Sequence, residues 1–104
     1  MSETFIAIVN GAAGGGRAAG RWSAMQSRLE ASGFAVEARF TERAGHASEL
    51  VREAHAQGHR HFLSVGGDGT GYEVTNGLFP RVGDDKITVG MLPLGTGNSF
   101  LRDF

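Results

Sequence analysis

The chain has 104 residues, of which 40% are hydrophobic and 20% are charged, and its formal net charge at pH 7 is −1. This composition predicts one soluble globular domain and argues against a disordered tail or a membrane span. The near-neutral charge gives no general attraction to nucleic acid, the lack of cysteine excludes disulfides, and the amino-terminal residues lack the features of a signal peptide. We therefore expect a cytoplasmic protein that binds no nucleic acid.

The first half of the chain alternates between strand and helix patterns. Phe5 to Val9 is a short apolar run, which predicts a strand, and the glycine-rich stretch NGAAGGG follows it as a loop. A helix is predicted from Arg17 onward, and Gly33 is placed to end it. One face of this helix carries apolar residues at helical spacing: Ala18, Trp22, Met25 and Leu29.

The second half repeats the alternation. Residues 35–40 predict a second strand, and apolar residues at helical spacing predict a helix with Gly58 after its end: Ala47, Leu50, Val51 and Ala54. Strands at 61–65 and 87–92, with a helix at 70–79 between them, complete the pattern. Strands joined by helical crossovers predict an α/β fold, in which a parallel sheet carries helices on both faces.

Glycines cluster after three of the predicted strands, in the stretches NGAAGGG, GGDGTG and PLGTGN. Ligands of open parallel sheets bind beyond the carboxyl ends of the strands, where such loops lie. Glycine lets the backbone approach a ligand closely, and the amino end of a following helix favours negative charge. The three loops together therefore predict a phosphate-binding crevice.

The first glycine cluster does not match a known phosphate motif closely. Its spacing is that of a P-loop, but Arg17 stands where the lysine belongs and Ala18 stands where the metal-binding hydroxyl belongs. Gly14, Gly16 and Ala19 also satisfy a loose dinucleotide-binding pattern, which a glycine-rich segment meets easily by chance. This loop alone does not identify the ligand.

The other two clusters carry a family resemblance. The sequence SVGGDGTGYEVTNGLF at 64–79 resembles the nucleotide-binding segment of diacylglycerol kinases, sphingosine kinases and bacterial lipid kinases, and MLPLGTGNSFLRDF at 91–104 resembles their second signature. Asn10 in the first loop, and Thr41, Gly45 and His46 after the second strand, are also similar to that family. GGDGT alone is shared with NAD kinases, whereas LPLGTGN favours the lipid branch. The resemblance implies a three-layer, Rossmann-like fold of the NAD kinase and diacylglycerol kinase type.

The resemblance also implies a site for ATP with Mg²⁺. The residues implied to bind the nucleotide are Asn10, Gly11, Ala12, Ala13, Gly14, Thr41, Gly66, Gly67, Asp68, Gly69, Thr70, Gly71, Tyr72 and Thr96. Asp68 is expected to be catalytic, because a carboxylate about 4 Å from a phosphate is repelled by about 4 kcal/mol unless it faces a metal, a donor or a substrate hydroxyl. No metal ligand is assigned here, because the family's ligands are expected mainly in a further domain.

The function implied is transfer of the γ-phosphoryl group of ATP to the hydroxyl of a lipid, either diacylglycerol or a sphingoid base. Residues 1–104 are expected to form the amino-terminal nucleotide-binding half, without the β-rich domain, and to be inactive alone. Expected partners are ATP, a lipid held through the missing domain, the inner face of the membrane for the full-length protein, and a second copy of the fragment. The alternatives are an NAD kinase-like domain and a non-catalytic nucleotide-binding regulatory module.

Structural roles compete with these assignments at particular residues. Thr70 and Glu73 have the spacing of a capping box, which predicts that they start a helix. Asp68 could close its loop by accepting backbone amide hydrogen bonds. His59 and His61 are two residues apart with no third ligand nearby in sequence, so a metal site is not expected there.

Overall fold

The computed structural model describes residues 4–10, 18–82 and 86–93. In these ranges strands alternate with helices in the order β1 Thr4–Asn10, α1 Ala18–Ala31, β2 Ala35–Thr41, α2 His46–Ala56, β3 His61–Gly66, α3 Asp68–Val82 and β4 Thr88–Pro93. The predicted strands and helices are all present, with small shifts at their ends. None of these helices is both long and apolar enough to cross a bilayer.

The described strands form one parallel sheet in the order β2-β1-β3-β4. The chain runs outward from β1 to β2, and then returns past β1 to β3 and β4. The direction of winding therefore reverses between β1 and β3, which is where open α/β sheets bind their ligands. The predicted parallel α/β fold is confirmed.

Helices cover both faces of the sheet, as predicted. Because successive strand residues point to opposite faces, Ile6 and Ile8 of β1 lie on one side and Ala7 and Val9 on the other. On the first side they pack with residues of β3, α2 and α3: Phe62, Ala47, Val51, Ala54, Val74 and Leu78. On the second side they pack with Trp22, Val36 and Val65. Trp22 of the apolar face of α1 is 2% exposed and belongs to this core.

Two predicted glycine caps end the first two helices. Gly33 and Gly58 have φ angles of 100° and 103°, which residues other than glycine rarely adopt. At the first, the amide of Phe34 donates to the carbonyl oxygen of Leu29 at 3.1 Å. These caps turn the chain back so that β2 and β3 run parallel to β1.

The sheet register aligns the carboxyl ends of the strands. Asn10 at the end of β1 pairs with Thr41 at the end of β2, and Gly66 at the end of β3 pairs with Pro93 at the end of β4. The three predicted glycine-rich loops therefore begin at the same end of the sheet, at the carboxyl ends of its strands. Residues 11–17 and 94–104 of those loops lie outside the described residues.

Candidate functional site

A cleft of about 290 Å³ lies at the carboxyl ends of β1 and β2, beside the amino ends of α2 and α3. Its lining residues come from all four of these elements and from the loop between β2 and α2: Asn10, Thr41, Glu42, Arg43, Ala44, Ala47, Thr70 and Glu73. The cleft thus occupies the edge of the sheet that the sequence predicts for the ligand. Its walls carry hydroxyl, amide and charged groups, which suits a polar ligand.

Three predicted site residues meet in this cleft. The strand register sets Asn10 beside Thr41, and Thr70 approaches them from the first turn of α3. Thr70 is only 6% exposed, so its hydroxyl is held in place by packing. The side chains of these residues come from three separate parts of the sequence, and the fold brings them together.

Gly66 makes the close approach between β3 and its neighbours possible. Its φ angle is 153°, and a Cβ atom at this position would lie 2.8 Å from the Thr70 Oγ1 and 3.0 Å from the Asn10 Cβ. The first distance is too short for a real Cβ atom, and the second is tighter than most Cβ contacts. The absence of a side chain at Gly66 therefore lets Thr70 and Asn10 both lie close to the backbone of β3.

The amino end of α3 supplies free backbone donors beside this glycine. The helix begins at Asp68, and the amide of Gly71 donates to the carbonyl oxygen of Gly67 at 3.2 Å as the first bond of the helix. In a helix the amides that precede this bond have no intrahelical acceptor. The amides of Gly69 and Thr70 can therefore donate to an anion, and the helix dipole favours negative charge at this point.

Gly71 and Tyr72 follow in the same helix. Gly71 is buried, and a Cβ atom there would lie 3.0 Å from the Met91 Sδ of β4, so this residue faces the sheet. Tyr72 is 73% exposed, and its carbonyl oxygen accepts a bond from the Asn76 side chain at 3.0 Å. Their contact with a nucleotide stays a prediction.

The predicted capping box of Thr70 and Glu73 is wrong. Thr70 lies inside α3, because the helix already begins at Asp68. The Glu73 carboxylate reaches instead to the start of α2, where it accepts bonds from the amides of Gly45 at 3.1 Å and Ala47 at 3.2 Å. Glu73 therefore caps a neighbouring helix, and the first turn of its own helix keeps its donors.

Two charged residues that line the cleft, Arg43 and Glu73, were not predicted as site residues. Arg43 lines the cleft, and its Nη2 atom lies 2.8 Å from the Glu49 Oε1. This hydrogen bond raises the pKa of Arg43 and lowers the pKa of Glu49, although both groups are in solvent. Arg43 lies two residues after the end of β2, so its place at the carboxyl ends of the strands could have identified it as a site residue. Glu73 gave no such signal, since its partners lie 26 and 28 residues away.

Other predicted site residues are not placed by the structure. Gly11, Ala12, Ala13, Gly14 and Thr96 lie outside the described residues. The backbone of Asp68 starts α3, but its side chain is not described. Among residues 4–10, 18–82 and 86–93, no group of three or more histidine, cysteine or acidic side chains could hold a metal ion.

Comparisons with known proteins add an independent line of evidence. The sequence profile of the diacylglycerol kinase catalytic domain matches residues 4–104. A protein of Pseudomonas syringae pv. tomato named "Probable lipid kinase YegS-like" is 43% identical over 70 residues, which are 67% of this chain and 22% of that protein. The "Sphingoid long chain base kinase 4" of Schizosaccharomyces pombe is 35% identical over 105 residues, covering 95% of this chain and 22% of that protein.

A solved structure agrees with these sequence matches. The crystal structure of a diacylglycerol kinase from Bacillus anthracis superposes with a TM-score of 0.75 at 33% identity, and the match covers 96% of this chain and 34% of that one. The chain thus spans about a third of this structure and 22% of the two curated relatives.

Proposed function

Since the chain belongs to the diacylglycerol kinase catalytic domain family, we propose that it is the nucleotide-binding part of a lipid kinase. In the proposed reaction a lipid hydroxyl oxygen bonds to the γ-phosphorus of ATP while the bond from that phosphorus to the bridging oxygen breaks. ADP leaves, and the hydroxyl proton passes to a base. The lipid acceptor is proposed to be diacylglycerol or a sphingoid base.

The observation that carries this proposal is the junction of β3 and α3. The amides of Gly69 and Thr70, which precede the first bond of α3, and the helix dipole suit the negative oxygens of a phosphate chain. The absence of a side chain at Gly66 keeps the Thr70 hydroxyl and Asn10 beside these amides. Phosphoryl transfer depends mainly on positioning and charge stabilisation, and a junction of this kind supplies positioning without a lysine.

The rim of the cleft supports the same ligand. Arg43 brings a guanidinium group to a site whose other donors are neutral, and guanidinium groups bind phosphate oxygens through paired hydrogen bonds. Its partner Glu49 is exposed, so a phosphate can compete for Arg43 at little cost. We propose that Arg43 contacts the outer phosphates of the nucleotide.

Asp68 is the proposed catalytic residue, facing either a magnesium ion or the lipid hydroxyl. A bound magnesium ion would neutralise charge on the transferred phosphoryl group. The described residues contain no cluster of ligands for it, so further ligands are proposed to lie elsewhere in the full-length protein. The lipid site is proposed to lie there as well, because the chain spans only 22% of two of its curated relatives.

Titration of the 104-residue chain with MgATP, followed by amide NMR spectra, tests the nucleotide site. We expect shifts at Gly66, Gly67, Gly69 and Thr70, and little change at His59 near the opposite end of the sheet. Adenosine without phosphates is the control ligand, and it should move these signals far less. Shifts that are absent at millimolar MgATP, or equal for adenosine, would contradict the proposal.

Kinase assays of a longer parent protein test the reaction. The parent should transfer phosphate from ATP to diacylglycerol or a sphingoid base, while the 104-residue chain should bind ATP without this turnover. Holding donor and acceptor together contributes about 7–11 kcal/mol to such reactions, which a site without its acceptor pocket loses. Phosphorylation of NAD by the parent would instead favour the NAD kinase alternative.

A further inference from the structure

Glu73 joins the two helices that border the cleft, and we propose that it is a positioning residue for the nucleotide site. Both carboxylate oxygens are used: Oε2 accepts the Gly45 amide at 3.1 Å and Oε1 accepts the Ala47 amide at 3.2 Å. In a third bond with the same direction, the Ser48 Oγ donates to the backbone carbonyl oxygen of Glu73 at 2.7 Å. The inference rests on the proposed function, since it concerns how tightly that site holds a phosphate chain.

These bonds decide which helix end can receive a phosphate. The amino end of α2 points into the same region, but an internal carboxylate occupies two of its first amides. The amino end of α3 keeps its amides free, because Glu73 does not fold back onto its own helix. The geometry therefore directs an anion to α3 and away from α2.

The same bonds set the width of the cleft. Glu73 stands one turn after Thr70 in α3, and the Gly45 turn follows the end of β2, where Thr41 lies. A rigid link between Glu73 and this turn therefore holds the Thr41 and Thr70 walls at a fixed separation. Without it, ATP binding would have to order the turn, and that ordering would weaken affinity.

The direction in which a substitution at Glu73 changes the affinity for MgATP distinguishes a positioning role from a simple effect of charge. Glu73 lines the cleft, so removal of its negative charge should strengthen binding of a polyanion if charge alone mattered. A positioning role predicts the opposite result. Charge-assisted bonds to backbone amides are stronger than neutral ones, so glutamine keeps the shape of the side chain but loses part of the link.

The test measures the dissociation constant of MgATP for the wild-type 104-residue chain and for Glu73→Gln, Ser48→Ala and Glu42→Gln. We expect Glu73→Gln to weaken binding about fivefold, and Ser48→Ala, which changes no charge, to weaken it about twofold. Glu42→Gln is the charge control, because Glu42 also lines the cleft and is exposed. It should bind MgATP as tightly as the wild type or more tightly.

Hydrogen exchange gives a second measurement that does not need nucleotide. The amides of Gly45 and Ala47 should exchange faster in Glu73→Gln than in Glu42→Gln. A wild-type chain that does not bind MgATP overturns the proposed function and this inference with it. A wild-type chain that binds, together with Glu73→Gln binding within twofold of it or more tightly, overturns only the positioning role. Unchanged exchange at both amides also overturns that role.

Discussion

Gly66 is the residue at which the backbone of β3 meets the cleft. We predict that Gly66→Ala destabilises the fold by about 1–3 kcal/mol, because an alanine would adopt an unfavourable φ angle and press on Thr70 and Asn10. It should also weaken ATP binding, since both contacted residues line the cleft. Urea denaturation and the nucleotide titration measure the two effects.

A neighbouring glycine gives the control for this substitution. Gly67 has nothing within 4 Å of the position where a Cβ atom would stand, so Gly67→Ala should change stability much less. If both alanine variants unfold at the same urea concentration, the close approach at Gly66 does not constrain the site.

Asp68 is the residue on which the proposed chemistry depends. We predict that Asp68→Asn leaves the domain folded and leaves the KM for ATP of the parent enzyme nearly unchanged, while kcat falls by a factor of about 100 or more. Asparagine keeps the size of the side chain and removes its charge. Steady-state kinetics and a thermal unfolding curve distinguish this from a structural role, in which stability falls and kcat is retained.

Gly77 permits the contact between α2 and α3. A Cβ atom there would lie 2.5 Å from the Val51 Cγ1, 2.9 Å from the Ser48 carbonyl oxygen and 3.1 Å from the Ser48 Cα. We predict that Gly77→Ala destabilises the fold by about 1–3 kcal/mol, because two of these contacts are with backbone, which cannot rotate away. Denaturant unfolding measures this effect.

Gly20 in α1 provides the matched control, since nothing lies within 4 Å of its Cβ position. Gly20→Ala should stabilise the fold by about 0.5–1 kcal/mol, because alanine is the better helix former. A Gly77→Ala variant that is as stable as Gly20→Ala would show that α2 and α3 can separate freely.

The order of the elements was predictable because each one carries its own local signal. Short apolar runs predict the strands β1 to β4, and apolar residues at helical spacing predict α1 and α2. Gly33 and Gly58 end these two helices because they adopt backbone angles that glycine favours. The ends of α3 were harder to predict. The capping-box pattern at Thr70 is a local sequence signal. The carboxylate of Glu73 instead accepts hydrogen bonds from amides at the start of α2, and only the tertiary structure brings these donors close to it.

The candidate site was predictable only in part. Parallel strands bring their carboxyl ends together, so the glycine-rich loops that contain Asn10 and Thr70 could be grouped from the strand pattern, whereas Thr41 was predicted only from the family resemblance. The bond between Glu73 and Gly45 could not, because it joins residues 28 positions apart that share no motif. The order of the strands determines which loops lie next to each other, whereas hydrogen bonds between side chains and neighbouring helices depend on how the helices pack.

An apolar surface lies between α3 and β4, at the outer strand of the sheet. Phe79, Val89 and Met91 are 70%, 36% and 54% exposed, and with Thr75, Leu78 and Ile87 they line an apolar groove of about 170 Å³ between α3 and β4. Within residues 4–10, 18–82 and 86–93, no strand pairs with the outer side of β4. Exposed apolar residues beside an unpaired strand edge favour association.

We predict that the 104-residue chain self-associates through this groove, so that its average mass in sedimentation velocity rises with concentration. Phe79→Ser should shift the chain toward monomer, because it removes the aromatic ring of the groove, which is 70% exposed, at little cost to the core. Phe40→Ser is the matched control, since Phe40 is 42% exposed on β2, at the opposite edge of the sheet. A chain that stays monomeric at about 1 mM, or that associates equally with either serine, would assign this groove no role in self-association.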